Sequence, residues 1–234
     1  MKIAAISDLH IGACPRMDSF RHRRDDFLRF LDDLESRHDH IVLLGDIYQC
    51  DHGWSVGTTE QQLAGARAQT PWLTARLDQA NYTLVQGNHD RITGDVLGAP
   101  DEVVFDGAFP VLLTHGDQFD PIVGGAPLIS YAASWMTGRL RWGGMRPLAA
   151  WLEGRDVAIK AQRLQTPEGP YAMGAQNLLT RRAVKTVVFG HTHVPWRLEM
   201  DAGVLLNSGT CSKGQRMYAS VDTMTGETAV HHLI

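Results

Sequence analysis

Short apolar or β-prone runs recur along the chain, and five of them lead into Asp, Asn or His. Residues 3–6 lead into Ser7-Asp8-Leu9-His10, and residues 41–44 into Gly45-Asp46. Residues 82–86 lead into Gly87-Asn88-His89-Asp90, residues 111–114 into His115-Gly116-Asp117, and residues 187–189 into Gly190-His191-Thr192-His193. Apolar runs without alternation predict strands covered on both faces. Between the first two runs, Phe20, Phe27, Phe30, Leu31 and Leu34 recur at helical spacing, which predicts a helix over 19–37 with Arg21, Arg23 and Arg24 on its solvated face. Gly12 and Pro15 mark the loop before it. Residues 47–58 read as loop and 59–80 as helix, interrupted before Pro71 with Thr70 as a candidate cap. The order β-α-β-α-β predicts parallel pairing and an α/β core.

Beyond residue 100 the pattern changes. Two short strands are expected at 102–105 and 111–114, around Gly107 and Pro110. Five more are expected at 186–189, 196–200, 204–207, 217–221 and 228–233, separated by Gly203, Gly209, Gly214 and Gly226. This spacing reads as a β-meander that builds a second sheet beside the first. Between the two groups lies an insertion, 121–180, with helical spacing over 127–142 and 147–165 and a break at Gly143-Gly144 and Pro147. It interleaves Trp135, Trp142, Trp151, Met136, Met145, Leu140 and Leu148 with Arg139, Arg141, Arg146 and Arg155. Two readings stand: a helical pair that packs its aromatics into the core, or a cap with an apolar groove and cationic lining.

Composition narrows the function classes. The chain has 234 residues, enough to bury roughly 70–75% of its unfolded surface in one domain spanning 1–234. A net charge of −4 leaves no electrostatic footprint for duplex nucleic acid. Cys14, Cys50 and Cys211 are isolated and odd in number, which argues for reduced thiols rather than a disulfide framework. The N-terminal apolar run is too short for a signal peptide, and no run reaches spanning length. A cytoplasmic protein is expected, with peripheral membrane contact left open.

Asp, His and Asn delivered by five strand ends to one rim form a metal-site constellation. Carboxylate, imidazole and carbonyl donors suit Mn, Fe or Zn; a thiolate site is not indicated. Such sites serve phosphate ester hydrolysis, because paired cations lower the pKa of a shared water and neutralise phosphoryl oxygens.

The five motifs, in this order, resemble those of the calcineurin-like metallophosphoesterase superfamily, and the resemblance covers essentially the whole chain. It implies a four-layer α-β-β-α sandwich of two mixed sheets, with the insertion capping the metal site. It implies two divalent metal ions, Mn²⁺ first, with Fe, Zn, Ni or Mg as alternatives. By resemblance Asp8, His10, Asp46 and His193 hold the first, and Asp46, Asn88, His115 and His191 hold the second. A metal-bridging water would attack phosphorus in line, and His89 would face the substrate and protonate the leaving oxygen. Asp90 either orients His89 or caps the loop, and Asp117 has a supporting role. Asp51 and His52 follow Asp46 closely and are candidate substrate contacts; the other histidines outside the motifs read as surface. The turn Asn207-Ser208-Gly209-Thr210 is placed to approach the rim.

Within the superfamily, the length, the helical insertion and Trp54 after the Gly-Asp motif look most like the UDP-2,3-diacylglucosamine pyrophosphatases of lipid A synthesis. Those usually carry Arg where this chain has His89. The expectation is therefore a metal-dependent phosphoesterase acting on a small phosphorylated substrate, with the amphiphilic UDP-sugar lipid as the named alternative. A metal-binding scaffold without turnover is the contrasting class.

Overall fold

The computed structural model describes residues 1–233. In chain order the elements are β1 (Lys2–Ile6), β2 (Ile11–Gly12), α1 (Arg24–Arg37), β3 (His40–Leu44), β4 (Tyr48–Gln49), α2 (Thr59–Gln69), α3 (Pro71–Leu77), β5 (Tyr82–Val85) and α4 (Ile92–Leu97). Then come β6 (Glu102–Phe105), β7 (Val111–Thr114), a 3₁₀ turn (Asp117–Phe119), α5 (Pro121–Gly125), α6 (Pro127–Trp142), α7 (Arg146–Arg163) and α8 (Pro170–Arg181). The chain closes with β8 (Thr186–Phe189), β9 (Trp196–Met200), β10 (Gly203–Asn207), β11 (Arg216–Asp222) and β12 (Thr228–Leu233).

Two mixed sheets of five strands stack face to face, with strand orders β12-β11-β1-β3-β5 and β6-β7-β8-β10-β9. Alternate residues of each strand point to opposite faces, and the two faces fill different layers. Ile3, Ala5, Val42, Leu44 and Val85 meet Val111, Leu113, Val188 and Leu206 between the sheets. Ala4, Ile6, Ile41 and Leu43 meet Phe27, Phe30, Leu31 and Leu34 of α1, Leu63 of α2 and Leu73 of α3 on one outer side. Leu112, Val187, Phe189 and Leu205 meet Tyr171, Ala175 and Leu179 of α8 on the other. This is the α-β-β-α sandwich. Each fully buried Leu or Phe contributes roughly 1.5–3 kcal/mol, so the three layers together dominate the stability.

The parallel trio β1, β3 and β5 is as the pattern predicts, with Ala5 opposite Val42 and Leu44 opposite Val85. The expected meander does not form. β8 and β10 are parallel neighbours with β9 on the outer edge, while β11 leaves for the first sheet and pairs antiparallel with β1. Helix α1 begins at Arg24, not near residue 19. The backbone of Ser19 and Phe20 is held instead by the 213–214 turn, with Lys213 N–H donating to the Ser19 carbonyl at 2.7 Å, and Arg21 turns left-handed at φ 53°. Phe20 still meets Phe27 at 4.7 Å, so its apparent helical spacing reflects burial in the same core. The helix break at Pro71 is present, but Thr70 makes no side-chain cap bond.

The insertion divides. α8 belongs to the outer layer of the sandwich, whereas α6 and α7 stand outside it. Their apolar residues do not fill the core: Leu128 is 83% exposed, Ile129 66%, Met136 62% and Trp151 54%. Arg141 is buried and clamps the pair, donating to both carboxylate oxygens of Glu153 on α7 and to the Ser19 hydroxyl. Among the described residues no helix is long and apolar enough to cross a membrane.

Candidate metal centre

The strand ends carry an unusual backbone. Asp8, His10, Asp46, His191 and His193 all have positive φ, between 50° and 67°. Left-handed backbone in a non-glycine residue costs roughly 1–2 kcal/mol, and such strain gathers at functional sites. Hydrogen bonds carry the β1–β3 pairing into the loops, with Asp8 N–H donating to Gly45 O at 3.1 Å and His10 N–H to Asp46 O at 3.0 Å. Gly87 is required by contact, because a Cβ there would lie 2.3 Å from Asp46 Oδ1. The turn at 207–210 supports the rim from behind: Asn207 Nδ2 donates to Gly190 O at 2.6 Å and the Thr210 hydroxyl to Asp8 O at 3.0 Å.

Three groups of side chains converge, each with donor atoms within 4.8 Å of one another: Asp8, His10 and His193; His10, Asp46 and His89; and Asp46, His115 and His191. Asp46 joins the last two. His10 Nε2 and His193 Nε2 stand 3.1 Å apart. Both rings cannot place a proton in that gap. His10 has its Nδ1 on Gln49 Oε1 at 2.8 Å, which leaves Nε2 as a lone pair aimed inward. Asp8 Oδ1 points at the same place, 3.1 Å from His193 Nε2, and has no hydrogen-bond partner. In the other group His115 gives Nδ1 to Leu44 O at 2.8 Å, and its Nε2 lies 3.3 Å from Asn88 Oδ1 and 3.3 Å from Asp46 Oδ2. His191 Nε2 meets Asp120 Oδ2 at 3.0 Å, leaving Nδ1 for the cluster.

The electrostatics match the donor chemistry. Burial alone would raise the carboxyl of Asp8, but the His193 ring outweighs it and holds it at about 2. Burial likewise opposes the charge on Asp46, and His115 and His89 hold it well below the usual carboxylate range. Burial pushes the His10 ring down to about 3 and the His191 ring down to about 4, so both stay neutral and able to ligate. His115 is the exception: burial opposes its charge, but Asp46 pushes it up to about 10. Two buried carboxylates thus demand positive charge, met by a proton on His115 or by cations. An oxygen and nitrogen donor set with an orphaned buried carboxylate oxygen fits divalent ions.

His89 sits at the open edge of the cluster, with 23% of its side chain exposed and Nε2 3.9 Å from Asp46 Oδ2. The carboxylate that orients it is Asp51, whose Oδ2 meets His89 Nδ1 at 2.7 Å. Burial opposes charge on this ring, but Asp51 and Asp46 push it up to about 10. Asp90 makes no bond to His89. It is fully buried and accepts backbone N–H groups from Asp46, Ile47, Tyr48 and Gly87 at 2.7–3.2 Å, so it caps the loop. Asp51 and His52, expected at the substrate, are both buried. His52 lies under α6, its carbonyl accepting from Trp142 Nε1 at 3.2 Å. Asp117 pairs with Arg91 at 2.5 Å.

Four partners escaped the sequence reading. Gln49 links His10 to Asp51, its Nε2 lying 2.5 Å from Asp51 Oδ1. Ser134 of α6 lies 3.3 Å from His89 Nδ1. Lys160 of α7 lies 3.4 Å from Asp120 and 3.3 Å from His191 Nε2. Asp120 had a local signal, as an Asp before a Pro at a helix start; the other three sit in stretches with no motif.

The calcineurin-like phosphoesterase profile matches residues 1–195. A UDP-2,3-diacylglucosamine hydrolase of Azotobacter vinelandii is 30% identical over 227 residues, covering 83% of each chain. One of Pseudomonas paraeruginosa is 28% identical over 236 residues, covering 86% of each. Among solved structures, Vacuolar Protein Sorting 29 of Cryptosporidium parvum superposes with a TM-score of 0.51 at 16% identity, over 99% of this chain and 96% of the other. The structural likeness shows a shared sandwich, and the profile spans every strand end that carries a candidate donor. The chain therefore belongs to the calcineurin-like phosphoesterase family.

Proposed function

We propose that the protein hydrolyses the phosphoanhydride of an acylated nucleotide-sugar, of the kind named in its UDP-2,3-diacylglucosamine hydrolase relatives. Membership of the family makes it a metal-dependent phosphoric ester hydrolase. The observation that carries the finer reading is the pair α6 and α7, which reaches the site through Ser134 and Lys160 while exposing Leu128, Ile129, Met136 and Trp151. A simple phosphomonoester has no use for such a surface; an acylated one does.

In this reading Asp8, His10, Asp46 and His193 would hold one divalent ion, and Asp46, Asn88, His115 and His191 would hold the other. Mn²⁺ is the ion we assign first. Two such ions, when bound, would lower the pKa of a nearby water and offset charge on the phosphoryl oxygens. His89 keeps Nδ1 on Asp51, so its Nε2–H is the edge that meets the substrate. It donates to a phosphoryl oxygen or to the departing phosphate. Gln49 and Asp51 fix the orientations of His10 and His89 together. Water adds across the anhydride, and two phosphomonoesters leave. Residues 1–234 act as one catalytic domain with the insertion as cap. The exposed apolar face, flanked by Arg146 and Arg155, would rest on the membrane that holds the substrate. Three free thiols favour its cytoplasmic side.

Phosphorus NMR of chelator-stripped protein, with and without Mn²⁺, tests the reading on a mixture of UDP-2,3-diacylglucosamine, a phosphomonoester and a phosphodiester. Mn²⁺-dependent loss of the anhydride signals with growth of two monoester signals is expected. Consumption of the simple esters alone would remove the anhydride reading and leave the family activity.

A further inference from the structure

An exposed indole is held rigid beside the site. Trp54 is 62% exposed, yet it is fixed on two sides. Its ring stands nearly perpendicular to that of Trp142, with centroids 5.9 Å apart and an interplanar angle of 86°. One face is covered by the Arg139 guanidinium, 4.0 Å from the ring centroid. The same guanidinium lies 4.5 Å from the ring of Trp135. One face lies under Arg139 and 62% of the residue is still exposed, so ring surface away from Arg139 is left open for stacking. The Arg139 guanidinium makes no hydrogen bond or ion pair to any described residue, so its N–H edges are free although its plane is pinned.

The stack adjoins the catalytic groups on two chain segments. Trp54 follows Asp51, the partner of His89, by three residues, at most about 11 Å of extended chain. On α6, Ser134 reaches His89, and Gly138 packs so closely on His52 that a Cβ would lie 2.9 Å from the His52 Cα. Trp135 and Arg139 lie next along the same helix, four residues apart and therefore one above the other. A ligand whose phosphate meets His89 would bring an attached planar group towards Trp54.

We propose that Trp54, backed by Arg139 and Trp135, is the stacking platform for the nucleobase of the substrate. The base lies on the open ring surface of Trp54, and Arg139 offers its free N–H groups to oxygens of the base, the ribose or the adjoining phosphate. This rests on the nucleotide-sugar reading above and adds to it the place where the nucleotide is recognised. Stacking on an indole is tolerant of base identity, so the platform selects nucleotides as a class before it selects uridine.

The test compares UMP with ribose 5-phosphate, which lacks the base, by equilibrium dialysis and by quenching of indole fluorescence in the Mn²⁺-loaded protein. Wild type is expected to bind UMP roughly 5–150-fold more tightly, the worth of one base stacked on an aromatic ring. Trp54→Ala should bring the two ligands to parity without weakening ribose 5-phosphate, and Trp54→Phe should restore part of the preference. Equal affinities in wild type would overturn the proposal, as would a preference that survives Trp54→Ala. Equal weakening of both ligands in that variant would show a merely structural Trp54 and overturn it too. Failure of both ligands to bind would remove the platform together with the phosphate site. A base preference without Mn²⁺-dependent anhydride hydrolysis would instead uphold the platform and sink the reaction assigned above.

Discussion

Asp46 combines a left-handed backbone, a buried carboxylate and donor atoms shared by two clusters. In the proposed centre it is the one ligand common to both ions. Asp46→Asn keeps the shape and the bond to His89 N–H but removes the charge. Even the outer partners of metal ligands cost about 10–100-fold in affinity when changed, so a shared ligand should cost more. Elemental analysis after dialysis should find both ions depleted; two retained ions would refute the sharing. His89 predicts the reverse pattern. His89→Ala should keep its metal and lose about 10²–10⁴-fold in kcat, the usual worth of a positioned proton donor. Asp51→Asn should lie between, at about 10–100-fold, because the ring remains but is no longer held by charge. Unchanged turnover in His89→Ala would end its assigned role. At this scale the strand-end motifs were legible because each donor sits beside an apolar run. The partner of His89 was not. Asp90 is its chain neighbour, yet the loop turns that carboxylate onto four backbone N–H groups, and Asp51, 38 residues earlier, takes its place.

At the scale of elements, apolar spacing predicted α6, α7 and most strands, because residues that share one face of a helix or strand recur with its period whatever that face meets. It misplaced the start of α1, because Phe20 is buried by a loop. Polar anchors between elements left no such trace. Arg76 on α3 reaches Glu35 on α1 at 2.6 Å, and Tyr82 at the head of β5 donates to the same carboxylate at 2.5 Å. Burial works against the charge on Glu35, but Arg76 and Tyr82 outweigh it and hold the carboxyl below its ordinary value of 4.5. A lowered folded value means stability that is whole above the unfolded value and is lost as pH falls through the folded one. Glu35→Gln should therefore cost about 1 kcal/mol at pH 7, discounted for a side chain that is one-fifth exposed. The gap between the two urea midpoints should close below pH 4.5. A gap independent of pH would mean that packing, not charge, makes the link.

The whole molecule sets two kinds of surface against each other. The sandwich hides its apolar residues in three layers, while α6 and α7 display theirs beside the metal centre. The sequence pattern left open whether that insertion was core or cap, because periodicity shows which residues share a face and not what the face meets. The same gap explains the missing meander: β11 is a good strand, and nothing in its own residues says that its partner is β1, more than 200 positions away. The exposed face yields the prediction at this scale. A combined Leu128→Ser, Ile129→Gln, Met136→Gln and Trp151→Gln variant removes apolar groups that bury little in the folded chain. Its thermal midpoint should stay close to wild type, since exposed substitutions usually change stability by no more than about 0.5 kcal/mol each. Its KM for a long-chain acylated substrate should rise about tenfold or more, because each methylene left in water forfeits about 0.8 kcal/mol. A short-chain analogue should be turned over as before. An equal rise in KM for both substrates would show that the insertion shapes the site without holding acyl chains, and an unchanged KM for both would assign the apolar face to the membrane alone.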